Sequence, residues 1–352
     1  MRVHFSDYLL FIFITLSFSA CNSAGNEHVS KIDFVNDPSA NRLDVKVDGR
    51  LFTSFCWPED LNKPVLYPVL TPKGDTITRG FPLNTRPEDH TDHKHQVGIW
   101  LSYGNVNGVD FWENAKSDTP DPDDGVIKHI KIERLSSKNG KAYFVSAERW
   151  LGPSGNRVLD EHSEYHFTAH GSVRIIDRIT TLTAGDTAVV FKDTKEGFFA
   201  IRLARQLEML TAGSESLSGI RLDSGRTANL LKYNGTGNYV SSEGISGESV
   251  WGTRARWVSL TGIINNDPVS VVICDHPGNP GYPAYWMTRG YGLFAVNPLG
   301  WSDFTNGEKT FDFNIKPNKS AKFRYRLIVC SGTFLAPVEI NRFADEFAKN
   351  YK

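Results

Sequence analysis

Residues 43–57 read LDVKVDGRLFTSFCW, and this stretch decides the fold class. Apolar and polar residues alternate on both sides of Asp48-Gly49, a dipeptide typical of the two-residue turn in a β-hairpin. A second hairpin is predicted from AYFVSAERWL and RVLDEHSEYHFT, which are joined by GPSGN. Short strands separated by Gly, Asn, Asp or Pro turns continue to KFRYRLIVCSG and favour an antiparallel sandwich over alternating strands and helices.

Helical periodicity is confined to the end of the chain, PVEINRFADEFAKNY. Pro337 suits a first helical position. Apolar residues follow at i, i+3 and i+7, namely Ile340, Phe343 and Phe347. No long linker follows residue 41, so we predict an all-β fold: one large antiparallel β-sandwich domain over residues 42–352, with a short C-terminal helix.

The N-terminus reads as a targeting segment. A weakly basic start precedes YLLFIFITL, an apolar run too short to span a bilayer as a mature helix. The following FSAC resembles the lipobox of bacterial lipoproteins, which predicts a signal peptide over residues 1–20 and lipidation of Cys21. The alternative is an ordinary signal peptide with a chance cysteine. Residues 21–41 are predicted to be a flexible tether, and the protein is expected in the cell envelope, periplasmic or at the outer-membrane surface.

Charge and cysteine content limit the partners. The chain has 352 residues with 39 basic and 40 acidic side chains, and a net charge of −1 gives no reason to expect nucleic acid as a partner. Membrane contact is expected through the N-terminal lipid only. Without a CxxC pair a thiolate zinc site is not expected, and the remaining cysteines are interpreted as small buried residues: Cys56, Cys274 and Cys330.

The stretch HTDHKHQVGIW, residues 90–100, holds three of the ten histidines. If a strand begins near His93, then His93 and His95 point to one face, because the side-chain period of a strand is two. Such a pair can chelate a divalent metal or supply an acid–base group. The alternative is a pair of surface or hydrogen-bonded histidines, since a single His-x-His motif is weak.

Two neighbouring features extend this candidate site. Asn107-Gly108 predicts a tight turn that returns Asp110 toward the histidines, and Gln96 follows them directly. Trp100 could form a stacking wall for a sugar ring, or it could belong to the core.

Two further segments concentrate charged and aromatic residues. KDTKEGFFAIRLAR places a charged turn before a strand, and the candidate residues there are Lys195, Glu196 and Arg202. CDHPGNPGYPAYWMTRGYGLFAVNPLGW predicts a long loop, and loops of this length are often functional. The candidate residues in that loop are His276, Tyr285, Trp286 and Arg289. Motifs of nucleotide-cofactor enzymes and of common serine hydrolases are absent from the sequence.

Three segments together resemble the PmoA-like family of secreted bacterial proteins: DHKHQVGIWLSYGNVNGVDFWEN, DTKEGFFAIRLARQL and DHPGNPGYPAYWMTRGYGLFAVNPLG. Asp92, His93, His95, Gln96 and Gly98 match the pattern of that family, and Lys94 replaces its proline. The resemblance implies a sandwich of the galactose-mutarotase type, a supersandwich that binds sugars in a cleft. The methane monooxygenase activity suggested by the family name is not expected, because that subunit spans the membrane repeatedly.

These observations lead to two hypotheses. The first is an extracytoplasmic carbohydrate-active enzyme that hydrolyses, eliminates or epimerises a glycoside or modified sugar. In it the catalytic residues are His93, His95, Glu196 and His276. Substrate-binding residues would be Gln96, Trp100, Asp110, Lys195, Arg202, Tyr285, Trp286 and Arg289. The cofactor is left open, a divalent metal on His93 and His95 being one variant. The second hypothesis is a non-catalytic glycan-binding lipoprotein.

Overall fold

The computed structural model describes residues 30–113, 115, 123–138, 141–210 and 235–351. Within these ranges the strands are β1 (Ile32–Asp37), β2 (Arg42–Val47), β3 (Arg50–Cys56), β4 (Val65–Val69), β5 (Ile99–Tyr103), β6 (Val126–Lys138), β7 (Lys141–Leu151), β8 (Arg157–His170), β9 (Val173–Ala184), β10 (Val189–Phe191), β11 (Gly197–Arg202), β12 (Asn238–Ser241), β13 (Trp257–Ile264), β14 (Asp267–Asp275), β15 (Tyr285–Thr288), β16 (Leu293–Asn297), β17 (Phe313–Ile315) and β18 (Ser320–Ser331). One α-helix, α1 (Pro337–Asn350), follows them. Short 3-10 helices span Pro38–Ala40, Arg205–Leu207, Gly247–Val250 and Asp303–Thr305.

The strands form two eight-stranded antiparallel sheets and one two-stranded ribbon. The first sheet has the order β1-β2-β3-β4-β5-β11-β16-β15, and the second has the order β12-β13-β14-β18-β9-β8-β7-β6. The ribbon pairs β10 with β17. The predicted all-β antiparallel sandwich with a short C-terminal helix is therefore confirmed.

The opening hairpin forms as its sequence predicts. Val47 pairs with Arg50, and the two turn residues between them have left-handed backbones, with φ of 50° at Asp48 and 77° at Gly49. Glycine and aspartate adopt this conformation more readily than β-branched residues do, which is why the dipeptide fixes the turn.

Alternation along the strands separates two apolar layers. On β5, Ile99 and Leu101 belong to the main core between the sheets, whereas Trp100 belongs to a second cluster on the outer face of the first sheet. The same division holds on β11, where Ile201 faces inward and Ala200 faces outward. The outer face of the first sheet therefore has its own packed layer, and this layer supports the candidate site.

The helix α1 covers the outer face of the second sheet. Its buried residues are Ile340, Ala344 and Phe347, and they pack in one cluster with Trp257 and Ile328. The predicted apolar stripe of the helix is therefore its docking surface.

The flexible tether predicted for residues 21–41 does not extend to residue 41, because β1 lies within that range. Residues 32–37 form β1, which pairs with β2 in full register from Ile32 with Val47 to Asp37 with Arg42. Ile32 is buried, and Phe34 packs against the main core. Burial of these two alternating side chains outweighs the polar composition of the segment. The signal peptide and Cys21 lie outside the described residues.

The three remaining cysteines, Cys56, Cys274 and Cys330, are free thiols, the last two being buried. Burial raises the pKa of the Cys274 thiol to about 12. A thiol of this kind is inert, which agrees with the predicted packing role. No α-helix in the described part of the chain is long and apolar enough to cross a membrane.

Candidate functional site

The histidines that were expected to begin a strand lie in the loop before it. β5 begins at Ile99, and His93 has a left-handed backbone with φ of 45°. The amide of Gln96 donates to the carbonyl oxygen of His93 at 3.0 Å and closes a tight turn. The alternation rule therefore does not apply to His93 and His95, because it requires an extended backbone.

Arg79 fixes the conformation of this histidine loop, residues 90–96. The Arg79 side chain is 1% exposed. Its guanidinium donates at 2.9–3.1 Å to the carbonyl oxygens of His90, Asp92, His93 and Gln96 and to Oδ1 of Asp92. A planar guanidinium can serve several acceptors at once, so one buried side chain specifies the shape of seven residues.

Arg202, the last residue of β11, holds the same loop from the sheet. It is fully buried, and its Nη1 donates to Oε1 of Gln96 at 2.5 Å. Its Nη2 donates to Oδ1 of Asp92 at 3.3 Å, and its Cζ lies 4.5 Å from the ring centroid of Tyr291. Burial and the nearby Arg202 charge lower the pKa of Arg79 to about 10, so Arg79 remains a cation at neutral pH.

His93 and Asp92 form an oriented pair. Nδ1 of His93 lies 2.7 Å from Oδ2 of Asp92. Burial raises the pKa of Asp92, but Arg202, His93 and Arg79 outweigh it and lower that pKa below its ordinary value. An ionised carboxylate only accepts, so Nδ1 carries the proton and Nε2 is left as an acceptor. The His93 ring also stacks on Tyr291 at 5.1 Å and 14°, which fixes its plane.

His95 lies beside this pair and is kept neutral. Its ring centroid is 5.7 Å from that of His93. Burial, followed by electrostatic interaction with Lys63, His93, Arg79 and Arg202, lowers the pKa of His95 to about 2. A neutral imidazole near a substrate is a hydrogen-bond donor or a weak base rather than a cation.

A buried lysine with neighbouring carboxylates lies next to His95. Nζ of Lys63 donates to the carbonyl oxygen of Trp112 at 2.8 Å. Burial lowers the pKa of Lys63 to about 7, although Asp110, Asp124 and Glu113 act in the opposite direction. Oδ1 of Asp110 accepts from the amides of Trp112 and Glu113, and burial raises the pKa of this carboxyl. Lys63 interacts electrostatically with both Asp110 and His95, so the expected approach of Asp110 to the histidines is seen only as this indirect relation.

The charged turn before β11 presents Lys195 and Glu196 as a pair, with Nζ 3.0 Å from Oε1. Asn297 is fully buried and donates to the carbonyl oxygen of Lys195 at 2.9 Å, which fixes the turn. A Cβ at Gly104 would lie 2.6 Å from Cβ of Glu196, so only glycine permits this close approach. Burial raises the pKa of Glu196 above its ordinary value, and Lys195 opposes this.

Tyr291 connects the histidine loop with the charged turn. Burial raises the pKa of its phenol, the Gln96 side chain hydrogen-bonds to it, and the charges of Arg202, Arg289 and Glu196 act on it. Cζ of Arg289 lies 5.1 Å from the ring of Trp251. The structure therefore groups His93, His95, Gln96 and Arg202 by direct contact. Glu196 and Arg289 act electrostatically on Tyr291, and Lys195 is paired with Glu196.

His276 does not join this group. It follows β14 of the second sheet, and its ring lies 5.1 Å from Phe347 of α1. Nδ1 of His276 accepts from the amide of Gly278 at 2.9 Å. The expected convergence of His276 with His93 and His95 is not seen, because the two segments belong to different sheets.

The aromatic wall that was expected from the sequence is buried. Trp286 belongs to the main core, is 0% exposed, and donates from Nε1 to the carbonyl oxygen of Ala255. Trp100 is also 0% exposed and packs on Trp112 at 5.3 Å. Tyr285 is 5% exposed within the outer layer. These rings have no open face for a sugar, because alternation places them in one or the other packed layer.

The metal variant has no complete ligand set in the described ranges. No group of three His, Cys, Asp or Glu side chains there could hold a metal ion. Nδ1 of His93 is also engaged by Asp92. A metal bound by His93 and His95 would need further ligands from solvent or substrate.

Three residues of the site were not identified from the sequence: Arg79, Lys63 and Tyr291. Arg79 and Lys63 lie in ITRGF and NKPV, which match no motif. A single basic residue gives no sign in the sequence that it will be buried. Tyr291 lies in MTRGYG, within the aromatic-rich loop that was predicted to be functional, so the density of aromatic residues there could have identified it.

Comparisons with known proteins give a family and two distant structures. The model of a family of unknown function, DUF6807, matches residues 42–345. A protein from Synechocystis sp. PCC 6803 is 11% identical, and the match covers 85% of this chain and 95% of that chain with a TM-score of 0.35. A galactose mutarotase-like protein from Clostridium acetobutylicum is 8% identical, with 86% and 99% covered and a TM-score of 0.35. No curated protein gives a significant match.

Proposed function

Because the chain belongs to DUF6807, a family of unknown function, its chemistry must be inferred from its own side chains, and we propose that it is a carbohydrate-active enzyme. The observation that carries the proposal is the Asp92–His93 pair, 2.7 Å apart, with the ring plane fixed by Tyr291. A carboxylate that orients an imidazole is the arrangement by which enzymes prepare a general base.

His93 acts as the base through Nε2. This nitrogen takes a proton from a substrate hydroxyl, from a carbon next to a carbonyl group or from a water molecule. Asp92 stabilises the imidazolium that results, and Arg79 and Arg202 keep Asp92 ionised. The sequence pattern predicted the same catalytic role for His93 and His95, and we now assign the role of general base to His93 because Asp92 orients its ring.

Glu196 acts as the acid. Burial raises the pKa of Glu196 against the opposing effect of Lys195, and a raised pKa brings proton delivery to a leaving group or to the opposite face of a carbon closer to neutral pH. His95, held neutral by burial, donates a hydrogen bond to an oxygen of the substrate. Hydrolysis, elimination and epimerisation each require one proton removed and one delivered, so all three remain within the proposal.

A sugar substrate is supported by the polarity of the site and by the sequence resemblance to the PmoA-like family. Lys195 and Arg289, which are partly exposed, offer donors to a molecule rich in hydroxyl groups, and the buried Gln96 supports the site through Arg202 and Tyr291. The alternative of a non-catalytic glycan-binding protein relied on aromatic stacking at Trp100 and Trp286. Because both rings are 0% exposed, neither can stack on a sugar as this alternative requires.

Export and lipidation at Cys21 are also proposed, on the FSAC sequence alone. A Cys21→Ala variant should move from the membrane fraction to the soluble fraction. Wild-type protein that fractionates as freely soluble would contradict the lipobox interpretation.

The function is tested by turnover on a panel of oligosaccharides and oxidised sugars. His93→Ala and Glu196→Gln should each lower kcat by about 10²-fold or more, the usual contribution of an acid–base group. Asp92→Asn should also lower kcat, since it removes the charge that orients and stabilises His93.

The matched control is His162→Ala, because His162 pairs with Glu133 at 3.5 Å on the exposed face of the second sheet. This variant should retain wild-type kcat. Wild-type activity in both His93→Ala and Glu196→Gln would refute the proposal, and so would glycan binding without turnover of any member of the panel.

A further inference from the structure

A basic groove lies on the second sheet, away from the histidine loop. It has a volume of about 640 Å³ and runs between the loop after β14 and the start of β18. Four cationic side chains line it: Lys316, Lys319, Lys322 and Arg324. No Asp or Glu is among its lining residues, which stands out in a chain whose net charge is −1.

The lysines of the groove are available to a ligand. Lys316, Lys319 and Lys322 are exposed, and none of them forms an ion pair with another described residue. Lys322 interacts electrostatically with Glu164 and helps to lower the pKa of that carboxyl, but the hydrogen bond of Glu164 is made with His166. A set of cations in a concavity without a carboxylate among its lining residues produces a positive potential that attracts anions.

The walls of the groove are fixed by Asn279, which is 6% exposed. Its Nδ2 donates to the carbonyl oxygen of Arg324 at 2.7 Å, and its Oδ1 accepts from the amide of Arg324 at 2.8 Å. These two bonds join the loop to β18. Lys322 and Arg324 are two positions apart on β18, so they project from the same face of the sheet.

The floor of the groove is partly apolar. Phe313 and Pro280 line it; Phe313 packs against the main core, and both residues remain partly exposed. Sugar rings carry a face of C–H groups that packs on aromatic and proline rings, while charged substituents extend from the ring edge. A phosphate ion or a flat anionic membrane would use the cations but would leave this floor uncovered.

We propose that this groove binds a segment of an acidic glycan, a chain whose sugars carry carboxylate or sulfate groups. The anionic substituents contact Lys316, Lys319, Lys322 and Arg324, and a sugar face covers Phe313. The proposal does not depend on the histidine site, since the two regions lie on different sheets. It supplies a second contact for a polymeric ligand.

The test is titration calorimetry of the full chain with an oligogalacturonide and with a neutral oligogalactoside of equal length. The acidic oligosaccharide should bind at least about tenfold more tightly, and raising the salt from about 0.05 M to about 0.5 M should weaken it. The Lys319→Glu/Lys322→Glu variant should lose at least about tenfold in affinity.

The matched control is Lys128→Glu/Lys138→Glu, which reverses two exposed lysines on the edge strand β6. This control should bind as the wild type does, while all variants keep the wild-type melting temperature. Equal affinity for the neutral oligosaccharide would overturn the proposal. So would unchanged binding by Lys319→Glu/Lys322→Glu, or binding to anionic vesicles alone.

Discussion

Replacing Arg79 by Met should release the histidine loop while keeping most of the volume of the buried side chain. Arg79 makes five hydrogen bonds to residues 90–96, four of them to backbone carbonyl oxygens. Methionine has no donor, so the four carbonyl oxygens lose these bonds and Oδ1 of Asp92 keeps only its bond from Arg202. The stacking of His93 on Tyr291 depends on that backbone, and the ring should lose its fixed plane.

The magnitude follows from the number and burial of these bonds. A typical hydrogen bond contributes about 1 kcal/mol net, and one to a charged group about 1.5–3 kcal/mol. Asp92 is half-exposed and can be re-solvated, so its two bonds are discounted. Three bonds to backbone carbonyls remain, and at about 1–1.5 kcal/mol each, because the loop can partly re-solvate, they give a loss of about 3–5 kcal/mol in the free energy of unfolding. That is also the usual cost of breaking a buried charged network.

The assay is urea unfolding of wild type, Arg79→Met and Arg149→Met, together with hydrogen exchange of the amides in residues 90–96. Arg149 is a suitable control, since it pairs with Asp160 on an exposed surface and should change stability by less than about 1 kcal/mol. Exchange in the loop should accelerate in Arg79→Met only. A loss below about 1 kcal/mol with unchanged loop exchange would refute the structural role given to Arg79.

Two further predictions concern buried side chains outside the histidine loop. Burial raises the pKa of Asp275 from 3.8 to about 7, so its proton stabilises the folded chain fully below pH 3.8 and this contribution is lost as pH rises through 7. Asp275→Asn should remove that loss, so the difference in free energy of unfolding between the variant and the wild type should shift in favour of the variant as pH rises from 4 to 7. A difference that stays constant over this pH range would contradict the prediction. Trp286→Phe should lower stability by about 1–3 kcal/mol through lost packing and one lost hydrogen bond, without changing KM. A raised KM would place Trp286 at the substrate.

Local sequence was sufficient to predict the hairpins and the helix. Asp48-Gly49 supplies the left-handed turn that its neighbours require, and alternation on both sides selects the buried face. Pro337 and the apolar stripe of α1 likewise act within one element. These predictions held because turn chemistry and side-chain period depend on adjacent residues. For β1 the local signal was too weak, and pairing with β2 decided the conformation.

The candidate site depends on residues far apart in the chain. His93, Arg202 and Tyr291 come from a loop, a strand end and a second loop, and their contacts exist only once β5, β11 and β16 are neighbours in one sheet. The sequence placed His93, Glu196 and Arg202 among the candidates by residue type, but the tertiary structure alone separated His276 from them. Charge and residue type can be read along a chain, whereas burial and proximity arise from the packing of the sheets. That packing turned Arg79 from an ordinary arginine into the residue that shapes the histidine loop.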